Sequence, residues 1–215
     1  MPDHIIILDC ESTGLVDPIG VVEVGMCEIS DDLDIISEFS SLVHTDIPIA
    51  PEAEAKHGIS AEAIVDAPQL KDLPWPSGEV ILCCHNVPYD YPLVKDYMNI
   101  VGTICTLRLA RRLLPMAPNH QLDTLATYCD LPKYISHRTY GDVRNVWGLL
   151  CYMSEGSGMN VWQLLEWLKR PLRFKTMPYG KHRGLLIDKV PYQYLRWLKA
   201  QPGHDPDMEL TLSHV

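Results

Sequence analysis

With 215 residues, 47% of them hydrophobic, 21% charged and 8% aromatic, the chain has the size of one large domain, or of a domain with an appendage, and the composition of an ordinary globular protein. No apolar run approaches the roughly 20 residues of a bilayer helix, and Asp3 and His4 stand where a signal peptide would be basic, so membrane and secreted classes are set aside and a cytoplasmic location is expected. The net charge of −10 argues at first against a nucleic-acid partner, and the seven cysteines, with no C-x-x-C pair, read as reduced core thiols and not as a disulfide frame or zinc site.

Residues 4–10, HIIILDC, form an apolar run ending on a carboxylate, which predicts a buried strand. Residues 21–29 and 35–43 predict two more, joined by short polar loops that suggest an antiparallel meander. Pro51 opens a helical stretch to His57, and Ser60 is placed to cap another over 61–65. VILCC at 80–84 reads as a central strand; HNVPYD follows, and a helix is predicted over 91–99. Segments 107–114, 121–128 and 142–153 place apolar residues at three- and four-residue spacing, as helices packed on a sheet do. SEGSGMN at 154–160 is small and polar and reads as a linker. Beyond it come a helical VWQLLEWLKR, a short strand entering the glycine-flanked turn of FKTMPYGKHRG, and an amphipathic helix, VPYQYLRWLKA. The expected division is a catalytic domain over 1–158 and a helical linker with a small basic module over 159–215.

The charge is unevenly distributed. Residues 169–199 hold nine of the 18 lysines and arginines and one acid, Asp188, so this segment is +8 and the remainder −18. An acidic body joined to a basic piece fits a metal-binding catalytic domain with a module that grips a polyanion; a basic face docked on the acidic body fits the charge equally well.

Asp9 and Glu11, two apart at the end of the first strand, turn to one face while Cys10 points to the other. Two carboxylates there need a cation, and a divalent metal would serve. The D-x-E spacing is weak alone, and Asp90 at the head of a helix has the bland alternative of a cap. Asp142 follows His137 by five residues, again at a helix start. Together these acids make an oxygen-rich set suited to magnesium or manganese, whereas zinc would favour His and Cys. Two hard cations about 4 Å apart can hold a phosphodiester, and a histidine, with a pKa near 6.5, can take the proton of an attacking water. For His57 and His85 structural roles are favoured.

Three stretches in order, ILDCESTGL, HNVPYD and HRTYGD, with PEAEAKHGISAEAIVDAP between the first two, resemble the motifs of the histidine subgroup of the DEDD exonuclease family over residues 4–155. The resemblance implies an RNase H-like α/β fold: a mixed five-stranded sheet with helices on both faces, followed here by a small basic α+β module. It implies Asp9, Glu11, Asp90 and Asp142 as ligands of two Mg2+ or Mn2+ ions, Glu11 also as a catalytic residue, and His137 as general base. Cys10 and Ser12 depart from the more frequent threonines of D-T-E-T, at positions that are not ligands. MPYGKHRGLLIDKVPYQYLRWL is similar to the module that ends the exodeoxyribonuclease X branch of the family, which implies DNA as the polymer.

The expected activity is thus 3'-5' release of nucleoside 5'-monophosphates from single-stranded DNA and duplex ends, by a monomer or homodimer with no membrane association. RNA is the alternative polymer, and an inert nucleic-acid-binding protein of the same fold is the alternative from another class. Leu15 and Val16 follow the metal-binding strand in a loop, where the resemblance implies a wedge that unstacks a duplex end. Thr13 and Gly14 offer a hydroxyl and an open backbone, Lys181 and Arg183 flank a glycine turn, and Ser12, Asn86, Arg108 and Arg112 complete the expected nucleic-acid contacts. For Tyr179, Tyr192, Tyr194 and Trp197, helical spacing favours core packing over base stacking.

Overall fold

The apolar run HIIILDC becomes the middle strand of a five-stranded sheet in the computed structural model, which describes residues 2–132, 134 and 138–215. β1 (His4–Ser12) pairs antiparallel with β2 (Val21–Ile29), and β2 antiparallel with β3 (Ile35–Leu42). On its other side β1 pairs parallel with β4 (Glu79–Cys84), and β4 parallel with β5 (Asn99–Cys105), giving the order β3-β2-β1-β4-β5. Parallel pairs require crossovers. The segment carrying α1 (Pro51–His57) and two 3-10 turns connects β3 to β4, and α2 (Val87–Val94) connects β4 to β5.

Alternation along β1 feeds two cores. Ile5 and Ile7 join Cys27, Ile29, Ile81 and Cys83 beneath α3 (Thr106–Leu113), α4 (Leu122–Tyr128), α5 (Thr139–Ser157) and α6 (Val161–Leu168). Ile6 and Leu8 join Val24, Val80 and Leu82 on the opposite face, against Val87 and Val94 of α2. The cysteines are free thiols, five of them buried. Among the described residues no helix is long and apolar enough to cross a membrane.

Several elements differ from the sequence reading, among them the helix expected over 61–65 with a Ser60 cap, which is a single 3-10 turn, Glu62–Ile64, with no side-chain cap. The helix predicted over 91–99 starts at Val87 and stops at Val94, which leaves Asn99–Cys105 to form the edge strand β5. The polar stretch at 154–160 is mostly helix: α5 runs to Ser157, Gly158 ends it in the left-handed conformation, and Asn160 caps α6 in a reciprocal pair with Gln163. α6 then buries Val161, Leu164, Leu165 and Leu168 in the core that also holds Ile7 and Leu149.

The C-terminal module has its own small core, built from Met177, Ile187, Val190, Leu195, Leu198, Met208 and Leu212 around α7 (Tyr192–Lys199) and α8 (Pro206–Ser213). Its expected strand reduces to a single bridge between Thr176 and Leu186. What fastens it to the body is a cluster of ion pairs of unexpected polarity. The cations come from the body, on α3, and the carboxylates from the head of α8. Asp207 accepts from Arg108 Nη2 at 2.9 Å and from Arg112 Nε and Nη2 at 2.7 and 2.6 Å, and Asp205 pairs with Arg111. The module is therefore docked largely through its acids, while from the +8 segment Lys169 pairs with Glu166 and Arg183 donates to Ala117 O of the body.

Candidate active site

The strand that supplies the core also supplies the site. Past Ile7 the same face of β1 carries Asp9 and then Glu11, and Asp142 reaches them from the first turn of α5. One carboxylate oxygen from each of the three lies within 4.8 Å of the others. Asp90 enters from α2, fully buried, and its Oδ1 accepts the Cys10 backbone N–H at 3.3 Å. All four acids line one cleft of about 770 Å³. Three come together tightly, and Asp90 stands beside them without joining that group. His137 lies outside the described residues.

The acids strain against one another. Burial first, then the charges of Asp90, Asp142 and Glu11, hold the Asp9 carboxyl well above the ordinary carboxylate range. Glu11 is pushed up to about 7, by burial above all, with Asp142 and Glu23 adding to it while Lys56 and Arg138 oppose it. Asp90 is pushed up to about 8 by burial, against the hydrogen bond from Cys10. Acids pushed this far toward their neutral forms need positive charge, and every donor in the set is a hard oxygen. That is the donor chemistry of a magnesium- or manganese-type cation.

Among the described residues, the two histidines at the cleft are committed elsewhere. His57 Nε2 donates to Ser12 O at 3.2 Å and Nδ1 accepts the Ile59 N–H at 3.0 Å, while burial lowers its pKa. His85 Nε2 donates to His120 O at 2.9 Å and Nδ1 accepts from Thr106 Oγ1 at 3.0 Å, with burial lowering its pKa to about 4. Each is a neutral clamp joining elements around the site.

The loop after β1 divides the expected contacts. Ser12 Oγ bonds Gly14 O and the Tyr89 hydroxyl, and Thr13 Oγ1 accepts the Gly20 N–H, so both hydroxyls hold the loop. Leu15 and Val16, beyond Gly14 and at the cleft, are 81% and 84% exposed. Asn86 is exposed in the left-handed conformation at φ 91°, a strained state for a residue other than glycine, and it lines both the main cleft and a second one of about 490 Å³ at the module's edge. Lys181 is exposed. Arg108 and Arg112, half-buried, pair with Asp207 and help dock the module; neither lines the cleft that holds the carboxylates, and Arg108 lines the second one. Arg183 donates to Pro178 O and Ala117 O, bracing the turn against the body.

Sequence reasoning missed the support of α5. In the β1–β2 register Asp9 faces Gly25 and Glu11 faces Glu23, so D-x-E meets E-x-G across the pair. Glu23, buried, accepts the Thr139 N–H at 3.1 Å and takes Arg138 in a two-pronged ion pair, fastening the first residue of α5. Gly25 lets that helix in: a Cβ there would fall 2.7 Å from Thr139 Cβ and 2.9 Å from its backbone carbon. The signal was an acid and a glycine at alternate positions of a strand that is otherwise apolar until Glu28.

The exonuclease family profile matches residues 6–150, and a second profile, "Putative quorum-sensing-regulated virulence factor", matches residues 166–210. The chain is 30% identical over 220 residues to Exodeoxyribonuclease 10 of Escherichia coli K12, with 97% of this chain and 96% of that one covered. Its fold matches that of Exonuclease X in complex with 5' overhanging duplex DNA, at a TM-score of 0.64 and 28% identity, over 75% of this chain and 98% of that one. An exonuclease I structure shares the fold alone, at 12% identity and a TM-score of 0.60, over 77% of this chain and 43% of that one. A profile spanning all three carboxylate-bearing motifs, and kinship along nearly the whole of both chains, establish that this protein belongs to the exonuclease family.

Proposed function

We propose that the protein is a metal-dependent 3'-5' exodeoxyribonuclease that releases nucleoside 5'-monophosphates from single-stranded DNA and duplex ends in the cytoplasm. The observation that carries the reading is the convergence of Asp9, Glu11 and Asp142 within 4.8 Å at the wall of an open cleft, with Asp90 beside them. These four would hold Mg2+ or Mn2+, which supplies the positive charge that a phosphodiester and its departing 3' oxygen require.

The protein's own groups do the rest. Glu23 and Gly25 seat α5 so that Asp142 stands opposite β1. His57 and His85 have both ring nitrogens engaged, so neither is free to take a proton from water, and the family resemblance gives His137 the role of general base. Leu15 and Val16 would press on a terminal base pair and unstack it, a role in keeping with a relative bound to 5' overhanging duplex DNA.

The test is digestion of 5'-labelled single-stranded DNA, blunt duplex and RNA with Mg2+ or Mn2+, comparing the parent with Asp9→Ala and His137→Ala. Shortening from the 3' end is expected, lost in Asp9→Ala and slowed about 100-fold in His137→Ala. Asp9→Ala protein that keeps more than a few per cent of the metal-dependent rate would overturn the carboxylate assignment.

A further inference from the structure

We infer that the solvent face of α7 is a stacking platform for single-stranded nucleic acid, an inference that rests on the nuclease reading and names where the unpaired strand is gripped. Of the five tryptophans, Trp75, Trp147, Trp162 and Trp167 pack against the two cores of the body. Trp197 stands 55% exposed, and Tyr192, on the same helix, is 62% exposed. Helical spacing favoured core packing for these rings. Tyr179 and Tyr194 do pack against the module's core, but α7 meets it chiefly through Leu195 and Leu198 and turns Tyr192 and Trp197 outward.

The platform is braced. Trp197 lies 5.5 Å from Tyr194 at 39°, and Tyr194 meets the edge of His182 at 4.5 Å. The Arg196 guanidinium sits 6.0 Å from the centre of the Tyr192 ring. Such bracing lowers the entropy lost when a base stacks on it. The face is also cationic: α7 carries Arg196 and Lys199, whose Nζ also donates to Val215 O at 3.2 Å, and no carboxylate. Docking leaves this charge intact, because Asp205 and Asp207 are matched by arginines of the body. Exposed rings interleaved with cations complement a polyanion with accessible π faces. Paired bases hide those faces within the duplex, so the occupant is a single strand.

The experiment measures binding of fluorescein-labelled dT20, and of a blunt 20-base-pair duplex, to the full chain in EDTA, which holds hydrolysis off. Trp197→Ala and Tyr192→Ala should each weaken dT20 at least about fivefold while changing the duplex less than about twofold, and Trp197→Phe should restore most of the loss. Joint Arg196→Gln and Lys199→Gln replacement should flatten the logarithmic salt dependence for dT20 by about 1.4. Unchanged dT20 affinity in both ring variants would overturn the proposal and leave the face to a protein partner. An equal loss on duplex and single strand would overturn it as well. Mg2+-dependent digestion of dT20 by the parent protein tests the nuclease reading separately, since that can fail while the platform binds, or succeed while it does not.

Discussion

Asp207→Ala removes the carboxylate that takes two of the three arginines docking the module. Asp207 is fully buried, and four donors reach it: Arg112 twice, Arg108, and the Leu172 N–H at 2.9 Å. Burial alone would raise its pKa, yet the hydrogen bonds from Arg112 and Arg108 prevail and hold it below the ordinary range. Stranding one partner of a buried ion pair costs about 3–5 kcal/mol. Arg112 keeps Trp167 O, Arg170 O and the Trp167 ring, so its share falls at the low end. Arg108 has no such reserve: its Nε is already buried without a partner among the described residues. A loss of about 3 kcal/mol falls mainly on the module, whose core holds seven buried residues. Urea unfolding followed by limited proteolysis should then resolve two transitions, with cleavage beyond Arg170 preceding loss of the body. The pH dependence carries a definite sign. A carboxyl depressed in the folded state contributes stability above its unfolded pKa of about 4, and loses it as pH falls through the folded value. The gap between parent and variant should therefore be full at pH 7 and shrink below about pH 4. A single transition within about 0.5 kcal/mol of the parent at pH 7 would refute the clamp.

Joint replacement of Leu15 and Val16 by Ala should slow digestion of blunt duplex far more than of single strands; equal slowing of both would remove the wedge. Gly25→Ala should push the head of α5 from the sheet and lower the hydrolysis rate at least about tenfold with secondary structure retained by circular dichroism, since misplacement of about 1 Å can cost 100-fold. Without metal, the raised carboxyls keep protons on the folded state, so thermal stability should fall as pH rises from about 5 to 8. Asp9→Asn should blunt that fall, and Mg2+ or Mn2+ should reverse it in the parent but less in the variant, as read by thermal shift.

Much of the site was legible because its residues sit where periodicity changes. An apolar strand that ends in D-x-E, and helices that open on an acid, show up as carboxylates in places where burial would be costly without a cation. The docking arginines were not legible: Arg108 and Arg112 form an i, i+4 pair on α3, a spacing that suits a phosphate backbone as well as a carboxylate, and the partner Asp207 lies 95 residues beyond Arg112. β5 escaped notice because its apolar residues, Ile100, Val101, Ile104 and Cys105, do not alternate along the sequence and Gly102 interrupts them, so neither strand nor helix period dominated. Tyr192 and Trp197 of α7 were misjudged for a related reason: helical spacing shows which residues share a face, but which face a module buries depends on what else it has to cover.

That inverted docking also bears on how the module's role is tested. Truncation after Arg170 looks like the direct experiment, because it deletes Arg173, Lys175, Lys181, Lys189, Arg196 and Lys199 at once and should flatten the salt dependence of DNA binding. It also strips Asp205 and Asp207 from α3, leaving Arg108, Arg111 and Arg112 as three uncompensated cations on the body. Three such charges can neutralise phosphates and replace much of the lost slope, so the truncated chain should bind long DNA with a salt dependence less flattened than the deleted charges imply. Adding Arg108→Gln, Arg111→Gln and Arg112→Gln to the truncation separates the two effects, because only then does the slope report the body alone. Were the triple replacement to leave the truncated chain's slope unchanged, the arginines would have no access to phosphate even when unpaired, and the module's own cations would carry the whole of the difference.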